Sequence, residues 1–388
     1  MFVVLLFSYV INAMDRQLFP LLAPDVRREY GFSLAGIGLL STIFTLGMAV
    51  AGLPTGYLLA RLSRKAVLQI GIAIFSAGTI LTAVSRGFAD MLTYRAATGI
   101  GEAMELTALL AIAANQFARN RAAAVGSVNS CFALGAIIGP ILGGLLLSAY
   151  RSWRIPMIFF GLLGAATMVL IALVVRRSFT ETLAETLGES QPTDDVRGAP
   201  RLANRNTILL TLMSSIGGLV IYGYLGMYPT FLREALHYTP AAAGAVVGGF
   251  GLGALGSVAG GWLGDRSSPR QVLSAAFLCA AVLGYLLFHT SALAIQVGLS
   301  FAWGLVVSGT IYVNLAGYHI KSVRSHLANH TSGIFVTSLY GSAAFGGYLM
   351  GWIVGRSGWV TAGEIQLTAL SLLGASLALA LRPAAMAL

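Results

Sequence analysis

Charge is scarce in this chain. Of 388 residues only 24 are Lys or Arg and 14 are Asp or Glu, 10% in all, where soluble domains carry roughly a quarter. That shortage excludes a soluble globular domain. Cysteine is scarcer still. Cys131 and Cys279 both lie in apolar stretches, so neither a disulfide framework nor a metal site is expected. His319, His326 and His330 flank one loop at loose spacing and are expected to be solvated, while His237 and His289 read as span-end residues. There is no HExxH helix, no Walker loop and no convincing Ser/His/Asp set, which argues against a membrane enzyme and an ATP-driven pump. The net charge of +10 could suggest nucleic acid, but no basic helix or aromatic-basic stripe supports that partner.

What is present is apolar. Hydrophobic residues make up 57% of the chain, with a mean hydropathy of +0.80 and 47 glycines. Glycines on this scale suit helices that approach closely in lipid. Runs of about 20 residues, enough to cross a bilayer, number twelve. They cover 2–22, 34–59, 66–84, 91–114, 123–148 and 155–175 in the first half. In the second they cover 207–231, 240–262, 271–289, 292–315, 328–353 and 361–381. The fold class is therefore an all-α membrane protein. The first run is not a signal peptide, since it lacks a basic start and holds Asp15-Arg16 well inside. The long polar stretch, with Glu181, Glu185, Glu189, Pro192, Asp194 and Asp195, reads as a linker. The expected organisation is a six-helix bundle over 1–175, a cytoplasmic linker over 176–206 and a second bundle over 207–388.

Basic residues fix the expected orientation. With the N-terminus inside, fifteen Lys and Arg, including Arg61, Arg64, Lys65, Arg266 and Arg270, fall on the cytoplasmic side and seven on the other. Both termini are then cytoplasmic. A basic loop recurs at half-chain distance, as Gly56 to Lys65 and again as Gly261 to Arg270. A small-residue stripe repeats likewise, from Gly135, Gly139 and Gly143 to Ala343, Gly347 and Gly351. Membrane proteins built from two related bundles are most often transporters, with the site between the halves.

Ionisable residues inside spans are rare because a charge in hydrocarbon costs several kcal/mol unless it meets a cavity or a partner. Away from the span ends they are Asp15 and Arg16 in the first span and Arg95, Glu102 and Glu105 in the fourth. Arg95 and Glu102 are seven apart and Glu102 and Glu105 three apart, so all can share one helical face. A static ion pair would hold helices together. Proton coupling would instead let substrate at an arginine alter a carboxyl's proton affinity. In the second half, Tyr222, Tyr224 and Tyr228 crowd the seventh span; Tyr222, Tyr228 and Asn314 are the candidate substrate contacts.

The basic loop Gly56-Tyr57-Leu58-Leu59-Ala60-Arg61-Leu62-Ser63-Arg64-Lys65 resembles the helix 2–3 motif of the major facilitator superfamily, with Ala60 in place of the usual acid. The acid stands in the second copy, as Asp265. Arg95 to Gly101 resembles that family's helix 4 motif, Gly135 to Gly144 its helix 5 motif, and Trp153-Arg154 its start of helix 6. The resemblance implies twelve helices in two pseudo-symmetric bundles and secondary transport by alternating access. Asp15-Arg16 with Gly99-Ile100-Gly101-Glu102-Ala103 further resembles the anion:cation symporter branch, and also the spinster-type lipid transporters. Carried across, Asp15 and Glu102 are proton sites and Arg16 the anion site. Arg61, Arg64, Arg95, Asp265 and Arg266 are assigned to gating, with Asp265 next to Arg266 forming a latch; Glu105 has no counterpart.

The reading that results is proton-coupled symport of a small organic anion, most simply a carboxylate. No cofactor is expected beyond the proton gradient. A lipid-embedded monomer of a bacterial inner membrane is expected. The alternatives are a drug/proton antiporter, which the helix 5 motif favours, and a spinster-like lipid or lysolipid transporter.

Overall fold

A computed structural model describes residues 1–117, 120–181 and 198–387. Five linker residues named above, Glu185, Glu189, Pro192, Asp194 and Asp195, lie outside these. The first six spans are Phe2–Tyr30, 34–61, Arg64–Ala83, Phe88–Gln116, Arg121–Tyr150 and Arg154–Val174. The next four are Arg205–Glu234, Pro240–Arg266, Pro269–His289 and Leu293–Lys321. A last apolar run covers His330–Leu379, 50 residues. At about 1.5 Å per helical residue it is more than twice the thickness of a bilayer core. Gly358 divides it, at φ 83° and ψ 173°, a conformation only glycine takes without strain. The run is therefore the eleventh and twelfth spans, and the expected twelve crossings are present.

Helix starts are capped where the sequence offers a short polar side chain. Ser33, Ser63, Asn204 and Thr239 each accept from the backbone N–H three residues on. Pro20, Pro24, Pro140 and Pro229 lie inside helices; neighbouring helices can satisfy the carbonyls they free. The second, eighth and eleventh spans are each broken near mid-length, after Thr42, Ala254 and Ala343. In the tenth, Gly304–Tyr312 is wound as a π-helix.

The two halves meet along two crossings, the second span on the eleventh and the fifth on the eighth. Glycine makes both possible. A Cβ on Gly38 would fall 2.0 Å from the Gly347 carbonyl oxygen, and one on Gly351 2.1 Å from that of Leu34. On the other side, Gly144 meets the Pro240 carbonyl and Gly244 that of Pro140, at 2.4 and 2.2 Å. All these positions lie toward the end opposite the basic loops. Two ion pairs join the first and seventh spans at that same end. Arg27 Nη1 donates to both carboxylate oxygens of Glu234 at 3.0 Å, and Arg233 pairs with Asp25.

The basic end is different. Gly52 and Gly56 of the second span, Gly126 of the fifth and Gly333 and Gly341 of the eleventh would meet nothing within 4 Å if given a Cβ. The part of the eighth span nearer the basic end, Ser257–Arg266, packs on the ninth and tenth spans of its own half, whereas Pro240–Ala254 packs on the fifth, so the halves close on each other at one end and stand apart at the other. The small-residue stripes do different jobs in the two copies. Gly135 and Gly139 rest on Val10, Ala13 and Met14 of the first span, within one half, whereas Gly347 and Gly351 hold the contact between halves.

Candidate substrate and proton site

Between the halves lies a cavity of about 190 Å³, and both halves line it. The first supplies Tyr9, Arg16, Leu106, Leu110, Asn129 and Phe132. The second supplies residues that include Tyr222, Phe250, Ser308, Tyr312 and Tyr340. Judged by their places along the spans, these residues sit at the level of Arg16 or nearer the basic end, so the cavity faces the end where the halves part. Its aromatic wall is continuous. The Tyr222 and Tyr340 rings are 6.1 Å apart edge to face, and the Tyr312 and Tyr340 hydroxyls are 3.3 Å apart.

Arg16 is the cation of this cavity. It is 4% exposed. Its Nε donates to Asn12 Oδ1 at 3.0 Å and lies 3.3 Å from Glu102 Oε2. Its Nη2 carries no hydrogen-bond partner among the described residues. The Nε–H is thus held by the protein while Nη2, the nitrogen beside it, is uncommitted. A carboxylate is the group that such a planar donor array recognises.

The other charges are stacked on either side. Toward the closed end, Arg95 Nη1 is 3.8 Å from Asp15 Oδ2, which also accepts from Thr79 Oγ1 at 2.9 Å. The Arg95 guanidinium lies over the rings of Phe19 and Phe44, 5.0 and 5.4 Å from their centroids. Toward the open end, Glu105 accepts from Ser8 Oγ at 2.7 Å and from Asn12 Nδ2 at 2.8 Å. Asp15, Arg16, Arg95, Glu102 and Glu105 are all buried. The structure therefore brings the five intramembrane charges into one column.

Other expected site residues lie elsewhere. Tyr228 is fully buried away from the cavity; its hydroxyl donates to Gln296 and its ring stacks on Tyr224 at 4.5 Å. Asn314 points at the eighth span, its Nδ2 donating to Gly260 O and Thr310 O at 2.9 Å each. Neither lines the cavity, because both spend their polar atoms on helix packing. Tyr222 does line it. Arg61 lies over the Tyr57 ring at 4.1 Å, and Arg64 Nη1 donates to Thr180 O at 3.2 Å. Asp265 pairs with Lys321 Nζ at 2.8 Å rather than with Arg266, which lies over Trp262 at 4.4 Å. The expected Asp265–Arg266 latch is therefore replaced by one between the eighth and tenth spans. His319 is buried rather than solvated, its Nδ1 at 2.7 Å from Leu315 O and its ring against Phe335.

Sequence reasoning passed over Ser8, Tyr9, Asn12, Thr79, Tyr312 and Tyr340. The signal for the first-span members was there. Ser8, Asn12 and Arg16 recur every four residues in an apolar run, a polar stripe on one helix face.

Comparison with known proteins agrees with this architecture. A gallate transporter of Pseudomonas putida is 28% identical over 341 residues, covering 79% of this chain and 75% of the relative. A hexuronate transporter of Bacillus subtilis is 25% identical over 322 residues, covering 78% and 76%. Among solved structures, a bacterial homologue of the human lysosomal transporter spinster, inward-facing and occupied, superposes with a TM-score of 0.76. It is 18% identical and covers 97% of this chain and 95% of that one. The family model of the Major Facilitator Superfamily matches residues 5–347, and the chain belongs to that superfamily of transporters.

Proposed function

We propose that this transporter carries a small organic anion together with protons, by alternating access between two six-helix halves. The observation that carries the reading is Arg16, a buried guanidinium in the cavity between the halves with Nη2 unpartnered. Its sign argues against a cationic drug as substrate. The cavity, about 190 Å³, is below the roughly 300–1,000 Å³ of sites for drug-sized ligands, which suits a compact acid better than a lipid. Relatives named for gallate and hexuronate, both carboxylates, support the same class.

In this reading the basic end is cytoplasmic, both termini lie inside, and the protein works as a monomer in a bacterial inner membrane. Residues 1–175 and 207–388 are the moving halves and 176–206 their linker. The state described is open inward, with the Arg27–Glu234 and Arg233–Asp25 pairs closing the outer end. Asp15 and Glu102 carry protons, Arg16 binds the anion, and Tyr222 contributes to the opposite wall. Arg61, Arg64, Asp265 and Arg266, with Arg95 within the bundle, bias the gates. Substrate on Arg16 competes with Glu102 for the same guanidinium, so binding favours a protonated Glu102.

Proteoliposomes holding a pH dye test this against monocarboxylates, sugar acids, aromatic acids and lipophilic cations. Inward proton movement with one anion class is expected. Outward movement with a cation would replace the reading with drug export, and silence with every soluble compound would replace it with lipid transport. Arg16→Ala is expected to abolish anion binding, and an unchanged affinity would remove Arg16 from the site. Glu102→Gln is expected to abolish proton-driven accumulation yet spare substrate exchange; full accumulation would end its coupling role.

A further inference from the structure

The buried charges of the first half do not balance. Asp15, Glu102 and Glu105 are three acids, and Arg16 and Arg95 are two bases. Asp15 lies with Arg95 and Glu102 with Arg16. Glu105 is left over: among the described residues no Lys, Arg or His nitrogen comes within 4.0 Å of it. An unpaired charge in a membrane interior is costly, so the site is neutral when one proton is held in this column.

The hydrogen bonds around Glu105 accept that proton without loss. Ser8 Oγ lies 2.7 Å from Glu105 Oε1 and 3.0 Å from Leu5 O, yet has one hydrogen to give. With Glu105 ionised, the hydrogen goes to Glu105. With Glu105 protonated, its O–H donates to Ser8 Oγ and the Ser8 hydrogen turns to Leu5 O. In both states Asn12 Nδ2 continues to donate to Glu105 Oε2. Two protonation states thus share one set of heavy-atom positions.

Asn12 also joins Glu105 to the anion site. Its Nδ2 faces Glu105 Oε2 and the Glu102 carbonyl, at 2.8 and 3.3 Å, which leaves Oδ1 as the acceptor for Arg16 Nε at 3.0 Å. Other groups facing Glu105 are few. The first span adds the Tyr9 phenol and, beyond ion-pair distance, the charge of Arg16. The third span meets it with Gly71, against the Glu105 backbone nitrogen, and the fifth brings the buried Cys131 to the same cluster. The bases of the second and third spans, Arg61, Arg64 and Lys65, are at the basic end.

We propose that Glu105 is a proton-binding residue of the transport cycle, and that Asn12 transmits its charge state to Arg16. Ionised Glu105 adds negative charge beside the anion site; protonated, it withdraws that charge, and Arg16 binds an anion more tightly. The idea rests on the symport reading for its consequence, though not for the proton site itself.

Two measurements on purified protein separate these. Infrared pH titration reads protonated carboxyl groups without any substrate. Glu105→Gln keeps a donor toward Ser8 and an acceptor toward Asn12, so it copies the protonated state and should fold. The wild type is expected to show a titrating carboxyl component, beside those of Asp15 and Glu102, that is missing in E105Q; identical spectra in both overturn the proton site. Gallate binding across pH is the second measurement. Wild-type affinity is expected to fall with rising pH, by up to about tenfold per unit where one proton accompanies the anion. In E105Q the part of this dependence that Glu105 supplies is lost, so the slope should be shallower than in the wild type, leaving only what Glu102 contributes. Asn12→Ala is expected to keep the Glu105 infrared component and to show the same shallower slope of binding against pH as E105Q; the full wild-type slope would overturn the relay. If gallate does not bind, the substrate reading suffers and the infrared result still decides Glu105.

Discussion

Arg95 is buried to 0% exposure beside Asp15, over two phenylalanine rings. Removing one member of a buried pair strands the other, at a cost of about 3–5 kcal/mol. Arg95→Leu is therefore expected to lower the melting temperature of purified protein sharply, and adding Asp15→Asn should restore much of the loss. A single mutant as stable as wild type would mean that Asp15 is neutral without Arg95. At this scale the sequence was legible where chemistry was conspicuous. Asp15, Arg16, Arg95 and Glu102 stood out because charge in an apolar run is rare. Ser8 and Asn12 did not, because neutral polar residues are common in such runs. Tyr228 and Asn314 were misplaced for a related reason. An aromatic hydroxyl or an amide looks the same in sequence whether it faces a cavity or, as here, Gln296 and Gly260.

Among the elements, the broken spans and their glycine crossings carry the closure. A Cβ on Gly347 would stand 2.1 Å from the Gly38 carbonyl oxygen, while one on Gly355, further along the eleventh span, would meet nothing within 4 Å. Gly347→Val is expected to push the second and eleventh spans apart, at about 1–3 kcal/mol for overpacking. Gly355→Val should be near neutral. Labelling of a cysteine placed at Leu34 checks this: faster in the first variant, unchanged in the second. Equal labelling would show that the crossing is not what seals this end. The repeat was readable from the sequence, since Gly139 and Gly347 stand at matching places in the two halves. Their differing neighbours were not, because a small-residue stripe permits close approach without naming the partner. The break at Thr42 and the π-winding of Gly304–Tyr312 carry no proline or other sequence mark either.

For the molecule as a whole, twelve crossings were legible from hydropathy and the two halves from the repeated basic loop and stripe, but the state of the gate was not. It depends on Arg27, Asp25, Arg233 and Glu234, which in sequence are ordinary loop-edge charges 200 residues apart. Arg233→Ala with Arg27→Ala removes both ion pairs. Both pairs are partly buried, and even a surface pair is worth up to about 1 kcal/mol, so the double variant should shift the balance between open states several-fold. The expected result is faster thiol labelling at the Arg27–Glu234 end and slower labelling at the basic end. No shift would assign closure to the glycine crossings. Charge is also distributed unevenly between the halves. Every buried Asp, Glu, Lys and Arg among the described residues belongs to the first half. Membrane voltage does work only on charge that moves through it, about 2.3 kcal/mol per elementary charge per 100 mV. Within the protein, an electric field therefore acts on buried charge of the first half, and most strongly when its column is unprotonated and carries a net negative charge, so the voltage dependence of the empty carrier's return is set in that half.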